Sequence, residues 1–228
     1  MAEEKKVKIK VLGDIPHIRL RPGMYIGSID DEDGKGGAHH LLQEVLDNVA
    51  DIAGIGQCSE AEIILSSNQQ EITVKDNGPG IPIEEHSETK ESTLKTVFTV
   101  LKSGGKFDDN FYKTAGGLHG VGITAVNALS SHLKVINVSE NKKEILKFEK
   151  GILTNSQISE ASNEKSGLSI TFTPDPEIFK DNFTYFKVDV IKKRLKELAY
   201  LIPNLTLIFH SSPEADPINY HYSSGLIG

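Results

Sequence analysis

The chain has 228 residues, 25 of them Lys or Arg and 32 Asp or Glu, for a formal net charge of −7. Its length suits one α/β unit with a sizeable core, and 38% hydrophobic with 25% charged residues excludes a disordered acidic tail. No apolar run approaches the roughly 18 residues of a spanning helix, and the acidic balance has the wrong sign for a domain that grips nucleic acid alone by neutralising phosphates.

After a polar arm, RLRPGMYIGS marks turns at Pro22, Gly23 and Gly27, and DDEDGKGG reads as loop. Apolar residues at 41, 42, 45, 46, 49, 50, 52 and 53 predict a helix over 39–53 buried on most of its circumference. The runs AEIILS and EITVKD predict two strands, a hairpin feeding the turn-rich DNGPGIP. Residues 92–102 predict a helix capped near Ser92 or Thr93. A glycine-dense loop follows, with six of the 20 glycines between 104 and 122. ITAVNALS predicts a helix that starts where this loop ends, and strands are expected around 133–138, 144–149 and 167–173. A last amphipathic helix spans 187–201, stopped by Pro203, and LTLIF and 218–222 are the closing strands. There is no internal repeat, low-complexity tract or linker. The charged start, MAEEKKVKIK, lacks the apolar stretch of a secretory signal, and Cys58 alone builds no disulfide framework. A cytoplasmic protein with no membrane partner is the expectation.

Three places carry chemistry. On the first long helix, Glu44, Asp47, Asn48 and Asp51 share one face. A solvated outer face is the ordinary explanation. The alternative is that Glu44 and Asn48, one turn apart, aim into a cleft where a carboxylate orients water and an amide oxygen coordinates a hard cation such as Mg²⁺. In EITVKDNGPGIP, Asp76 continues the alternating phase of Ile72 and Val74 and points a carboxylate where a core residue is expected. An ionised carboxylate only accepts hydrogen bonds, which favours the exocyclic amine of adenine over the guanine carbonyl. Gly78 and Gly80 would let backbone approach a flat ring; a local Asx turn explains the same residues. The third place is AGGLHGVG entering a helix, whose converging N–H groups and helix terminus suit a polyphosphate. It is neither a Walker A loop nor a dinucleotide fingerprint, since the order is GxxGxG. A flexible surface lid remains the other reading.

The joint order of a helix with E-x-x-x-N, a strand ending in DNGPGIP and a loop ending in GGLHGVG resembles the nucleotide-binding domain shared by gyrase, Hsp90 chaperones, histidine kinases and MutL. RPGMYIG and GGKFDDNFYKTAGGLHGVGITAVNALS are similar to the B subunits of bacterial type IIA topoisomerases, of gyrase or topoisomerase IV, over about residues 11–222. The resemblance implies an α+β fold, a two-layer α/β sandwich with a mixed, mostly antiparallel sheet and helices on one face. It implies a single domain over 1–228, with an N-terminal arm at 1–15, an ATP lid at 103–122 and no transducer domain. By the same resemblance Glu44 is the catalytic base that activates water, and Asn48 is the Mg²⁺ ligand. Asp76 pairs with the adenine amine, and Gly80, Ile81 and Pro82 form the wall under the base. Lys106 and Tyr112 are lid residues near the phosphates and the nucleoside. Gly117, Leu118, His119, Gly120, Val121, Gly122 and Ile123 cradle the phosphates.

The implied cofactors are ATP and Mg²⁺, and the implied activity is an ATP-driven dimer gate for DNA strand passage, supercoiling or decatenation. Partners would be a second copy joined through the arm when ATP is bound, the A subunit, DNA in the full enzyme, and aminocoumarin-type inhibitors. Several positions depart from the family pattern. Pro79 replaces an arginine, Ile52 its glutamate partner, Leu168 a threonine beside the adenine carboxylate, Ile145 a rim arginine, and Glu4 an arm tyrosine. Losing the threonine hydroxyl costs about 1 kcal/mol of adenine affinity. Without the transducer, binding with slow turnover is expected. A nucleotide-gated dimerisation module with little or no hydrolysis is the competing function.

Overall fold

The computed structural model describes residues 12–30, 36–101 and 121–223. Two short helices come first, α1 (Asp14–Leu20) and α2 (Gly23–Ile26), then the long α3 (Gly37–Gly54). The chain continues through β1 (Glu60–Leu65), β2 (Ile72–Asp76), α4 (Thr93–Thr99) and α5 (Gly122–Ala128). Four strands follow, β3 (Ser130–Ser139), β4 (Lys142–Glu149), β5 (Ile152–Glu160) and β6 (Gly167–Pro174), and then α6 (Pro176–Phe179), α7 (Val188–Leu201), β7 (Thr206–His210) and β8 (Ile218–Tyr220).

Among the described residues, eight strands form one sheet in the order β5-β4-β3-β6-β2-β1-β7-β8. Every neighbouring pair is antiparallel except β1 with β7, where Ala61 lies beside Leu207. The sheet is mixed and mostly antiparallel, as expected. The two faces differ because side chains alternate along each strand. On β2, Ile72, Val74 and Asp76 are buried, whereas Lys75 is exposed. The other face carries Thr73, whose hydroxyl meets that of Thr171 on β6 at 2.8 Å. Helices cover the first face. Phe98 of α4 stacks on Phe148 of β4 with centroids 6.1 Å apart, and Phe186 lies edge-on to Phe172 of β6 and to His39 of α3.

Local chemistry explains several boundaries. Ser92 caps α4, its hydroxyl accepting from the Lys95 amide at 3.0 Å. The β3–β4 hairpin turns at Glu140 and Asn141, both with positive φ (53° and 62°), as a tight two-residue hairpin requires. Three expectations shift. Helix α4 ends at Thr99 because Val100 is already extended. Residues around Pro22 form α2, with Pro22 as the cap that precedes it, where turns were expected. Helix α1 begins at Asp14, inside the 1–15 arm, and its Asp14 carboxylate accepts from the Leu101 amide at 2.8 Å. The 103–122 lid likewise gives up Gly122 to α5.

Candidate functional site

Helix α3 organises the site through residues four apart. Glu44, Asn48 and Ile52 lie on one stripe, about 12 Å long at 1.5 Å per residue. At one end the Glu44 carboxylate packs on α5 so closely that a Cβ on Gly122 would stand 1.8 Å from its Oε2. At the other end Ile52 Cδ1 packs on the loop after β2, where a Cβ on Gly78 would stand 2.8 Å away. Asn48, between them, is exposed. The rest of the polar stripe divides: Asp47 turns to α7, accepting from Arg194 at 2.6 Å.

His40, one turn before Glu44, places Nε2 3.0 Å from Glu44 Oε1. The Glu44 carboxylate is therefore held from both sides, by an imidazole along the helix and by the backbone of α5. The i,i+4 His–Glu spacing is present in the sequence, but it is a common surface arrangement and gave no reason to select His40. Gly122 also acquires a different reason for being glycine. Its missing side chain makes room for the Glu44 carboxylate.

At the other end of the stripe, Asp76 is 8% exposed. Its Oδ1 accepts from the Gly78 amide at 2.8 Å, so the Asx turn does exist. Burial pushes the carboxyl above its usual range, against the lowering effect of hydrogen bonds from the backbone of Gly78 and Leu168. Leu168 thus supplies a backbone contact to Asp76, while its side chain joins the core. Asn77 points the other way and pins the loop: its Oδ1 accepts from the amides of Ser59 and Glu60, both at 3.0 Å. Gly80 adopts a left-handed φ of 71°, and a Cβ there would stand 2.4 Å from the Val138 carbonyl. The close approach at Gly80 is to the sheet's own backbone. Next to it, both backbone groups of Ile81 bond to the buried Asn137 side chain, at 2.8 and 2.7 Å.

The site thus joins a half-buried carboxylate, an exposed amide and a buried carboxylate along one helix and one strand end. The family profile described as histidine kinase-, DNA gyrase B-, and HSP90-like ATPase matches residues 34–178. The chain belongs to that family. This ATPase-family chain is 43% identical over 222 residues to the DNA gyrase B subunit of Spiroplasma citri, covering 96% of this chain and 34% of that protein. It is 45% identical over 207 residues to the DNA topoisomerase 4 B subunit of Mycoplasma pneumoniae, covering 90% of this chain and 32% of that protein. The chain therefore spans about a third of the length of these relatives. In three dimensions it resembles the 43K ATPase domain of Thermus thermophilus gyrase B, solved in complex with an aminocoumarin. The TM-score is 0.78 at 32% identity, over 94% of this chain and 53% of that one. The two-layer α+β fold of the family is confirmed.

Of the residues expected in the site of this family member, Glu44, Asn48, Asp76, Gly80, Ile81, Pro82, Val121, Gly122 and Ile123 are described. Lys106, Tyr112, Gly117, Leu118, His119 and Gly120 lie outside the described residues, as does the arm through residue 11. Ile52, one of the positions expected to depart from the family pattern, packs its side chain against the Gly78 backbone. No described helix is long and apolar enough to cross a membrane.

Proposed function

We propose that the chain is the ATP-binding and ATP-hydrolysing domain of a type IIA DNA topoisomerase B subunit, acting in the cytoplasm as an ATP-closed dimer gate. The observation that carries this reading is the α3 stripe, which links the Glu44–Gly122 contact to the loop after Asp76. Its length of about 12 Å suits a nucleotide laid along α3, base at Asp76 and phosphates at Glu44. Asp76 accepts from the adenine amine, a donor that guanine lacks at that place. Gly80, Ile81 and Pro82 support the ring, and Val121, Gly122 and Ile123 approach the phosphates; by the family resemblance Gly117, Leu118, His119 and Gly120 would join them in cradling the phosphates, and Lys106 and Tyr112 would serve as lid residues for the phosphates and the nucleoside.

Glu44 orients the attacking water and takes its proton as the water oxygen bonds to the γ-phosphorus and the bond to the β-phosphate oxygen breaks. His40 is a positioning residue: its Nε2, 3.0 Å from Glu44 Oε1, biases which way the Glu44 carboxylate faces. The exposed Asn48 amide oxygen, a hard donor one turn from Glu44, would hold Mg²⁺ together with phosphates and water, the donor set this cation favours. When bound, the cation neutralises phosphate charge. The partners that follow are a second copy through the 1–15 arm, an A subunit and DNA. An aminocoumarin would meet a rim altered by Pro79, Ile52 and Ile145.

Calorimetric titration with a non-hydrolysable ATP analogue tests the binding half. Saturable, Mg²⁺-dependent binding with no response to GTP is expected, and equal binding of both nucleotides removes the role given to Asp76. In the complete protein, Glu44→Ala should retain nucleotide binding and lose hydrolysis; turnover equal to the parent's would refute the assignment.

A further inference from the structure

Asn137 and Glu144 are direct cross-strand partners on β3 and β4, and both are buried, at 0% and 1% exposure. The same face of these strands otherwise carries Leu133, Val135, Leu146 and Phe148. Two polar side chains in such a row are costly unless they hold something. Each holds one end of the segment 81–92. Asn137 Oδ1 accepts from the Ile81 amide and its Nδ2 donates to the Ile81 carbonyl. Glu144 Oε1 accepts from the Ser92 hydroxyl at 2.7 Å, the hydroxyl that also caps α4. Between these ties the segment closes on itself, with the Thr93 amide donating to the Glu84 carbonyl and the His86 amide to the Glu91 carbonyl, both at 2.8 Å.

We propose that Asn137 and Glu144 are a positioning pair for the nucleotide base: one rung of the sheet sets Ile81 under the ring and, at the segment's other end, orients α4. This rests on the reading that Gly80, Ile81 and Pro82 lie beneath the base. Asn137 touches no nucleotide atom and acts by satisfying both backbone groups of Ile81, leaving that residue no freedom to twist away. Glu144 acts through the cap. Since Ile81 meets the base and not the γ-phosphate, the pair serves ATP and ADP alike.

The test is calorimetric titration of the chain with ADP and with a non-hydrolysable ATP analogue, in the parent, Asn137→Leu, Glu144→Leu and Asp76→Ala. Asn137→Leu removes two hydrogen bonds and should weaken both nucleotides by the same factor, about tenfold or more. Glu144→Leu removes the acceptor for the Ser92 hydroxyl and should weaken both nucleotides by a common, smaller factor of about threefold; parental affinity in a folded Glu144→Leu overturns Glu144's share in the pair. A merely structural Asn137 would lower the unfolding midpoint and leave affinity unchanged well below it. Loss of binding in Asp76→Ala, with parental affinity in Asn137→Leu, overturns this inference alone; parental affinity in Asp76→Ala overturns the base site and this inference with it. Should Asn137→Leu not fold, amide hydrogen exchange in the parent decides. Nucleotide should slow exchange at both Ile81 and Lys95, and unchanged exchange at Ile81 overturns the pair's role.

Discussion

Gly122 shows how little room the site leaves at the residue scale. A methyl group there would overlap Glu44 Oε2, and the flexible glutamate would have to yield. Gly122→Ala is therefore expected to displace the carboxylate by about an ångström, enough to slow hydrolysis by roughly a hundredfold. Nucleotide binding, measured in the same full-length protein, should change far less; unimpaired turnover would show that the carboxylate has somewhere else to go. The buried carboxyls make a second, pH-dependent prediction. Burial raises both Asp76 and Glu144, and in Glu144 only the Ser92 hydrogen bond opposes it. Groups raised on folding add stability that is full below their unfolded pKa and lost as pH rises through the folded one. Glu144→Gln removes that loss. Urea unfolding should find the variant more stable than the parent at pH 8, with the advantage disappearing below about pH 4.

At the level of elements, α5 is seated by polar ties more than by size. Thr124 donates to the carbonyls of Val97 and Val100, at 3.2 and 3.3 Å, and Asn127 Nδ2 donates to the Phe98 carbonyl at 2.9 Å. Arg19 of α1 closes the other end, donating to the Ala128 carbonyl and to the Asp175 carboxylate at 2.8 and 2.7 Å. Asn127→Ala leaves a buried carbonyl unpaired and should cost about 2 kcal/mol in denaturant unfolding. An unchanged midpoint would mean that water replaces the amide. These ties are invisible in sequence, where Thr124 and Asn127 look like ordinary helix residues. The helix α3, the β1–β2 hairpin and the Ser92 cap were legible, because an apolar stripe, strict alternation and a hydroxyl before a helix each have a local cause. Strand β5 was not. Its residues ILTNSQISE are exposed on both sides except Leu153, so it has no hydrophobic period to read and exists because β4 pairs with it. In the site, spacing and phase single out Glu44, Asn48 and Asp76 as candidates but leave a solvated helix face and a local Asx turn open beside them; only the family resemblance chooses between those readings. His40 and Asn137 were not singled out, since each matters only through a contact that folding creates.

Considered whole, the molecule sets a one-sided core against a polar outer face, under a net charge of −7. Such a surface should repel a phosphate backbone. Fluorescence anisotropy with a short duplex at about 0.1 M salt, where the Debye length is about 10 Å, is expected to show no binding by this chain. Measurable affinity that falls with added salt would reveal a basic patch able to overcome the overall charge. The binding of ATP, in contrast, should stabilise the entire fold, by about 2.7 kcal/mol at a hundred times the Kd, since the strand end and the helix that form its site belong to the same core.

The parallel pairing of β1 with β7 has a consequence for how the protein comes to exist. Strand β1 is the first strand of the sheet in chain order, and its neighbour on that side, β7, follows all the others but β8. Loop closure on that scale is slow and entropically costly. During synthesis the ribosome has already released α3, β2 and α5, yet β1 remains an open edge until residues 206–210 emerge. Nucleotide-binding ability should therefore appear late and all at once, as the closing strand docks, and a nascent chain halted before β7 should leave ATP in solution.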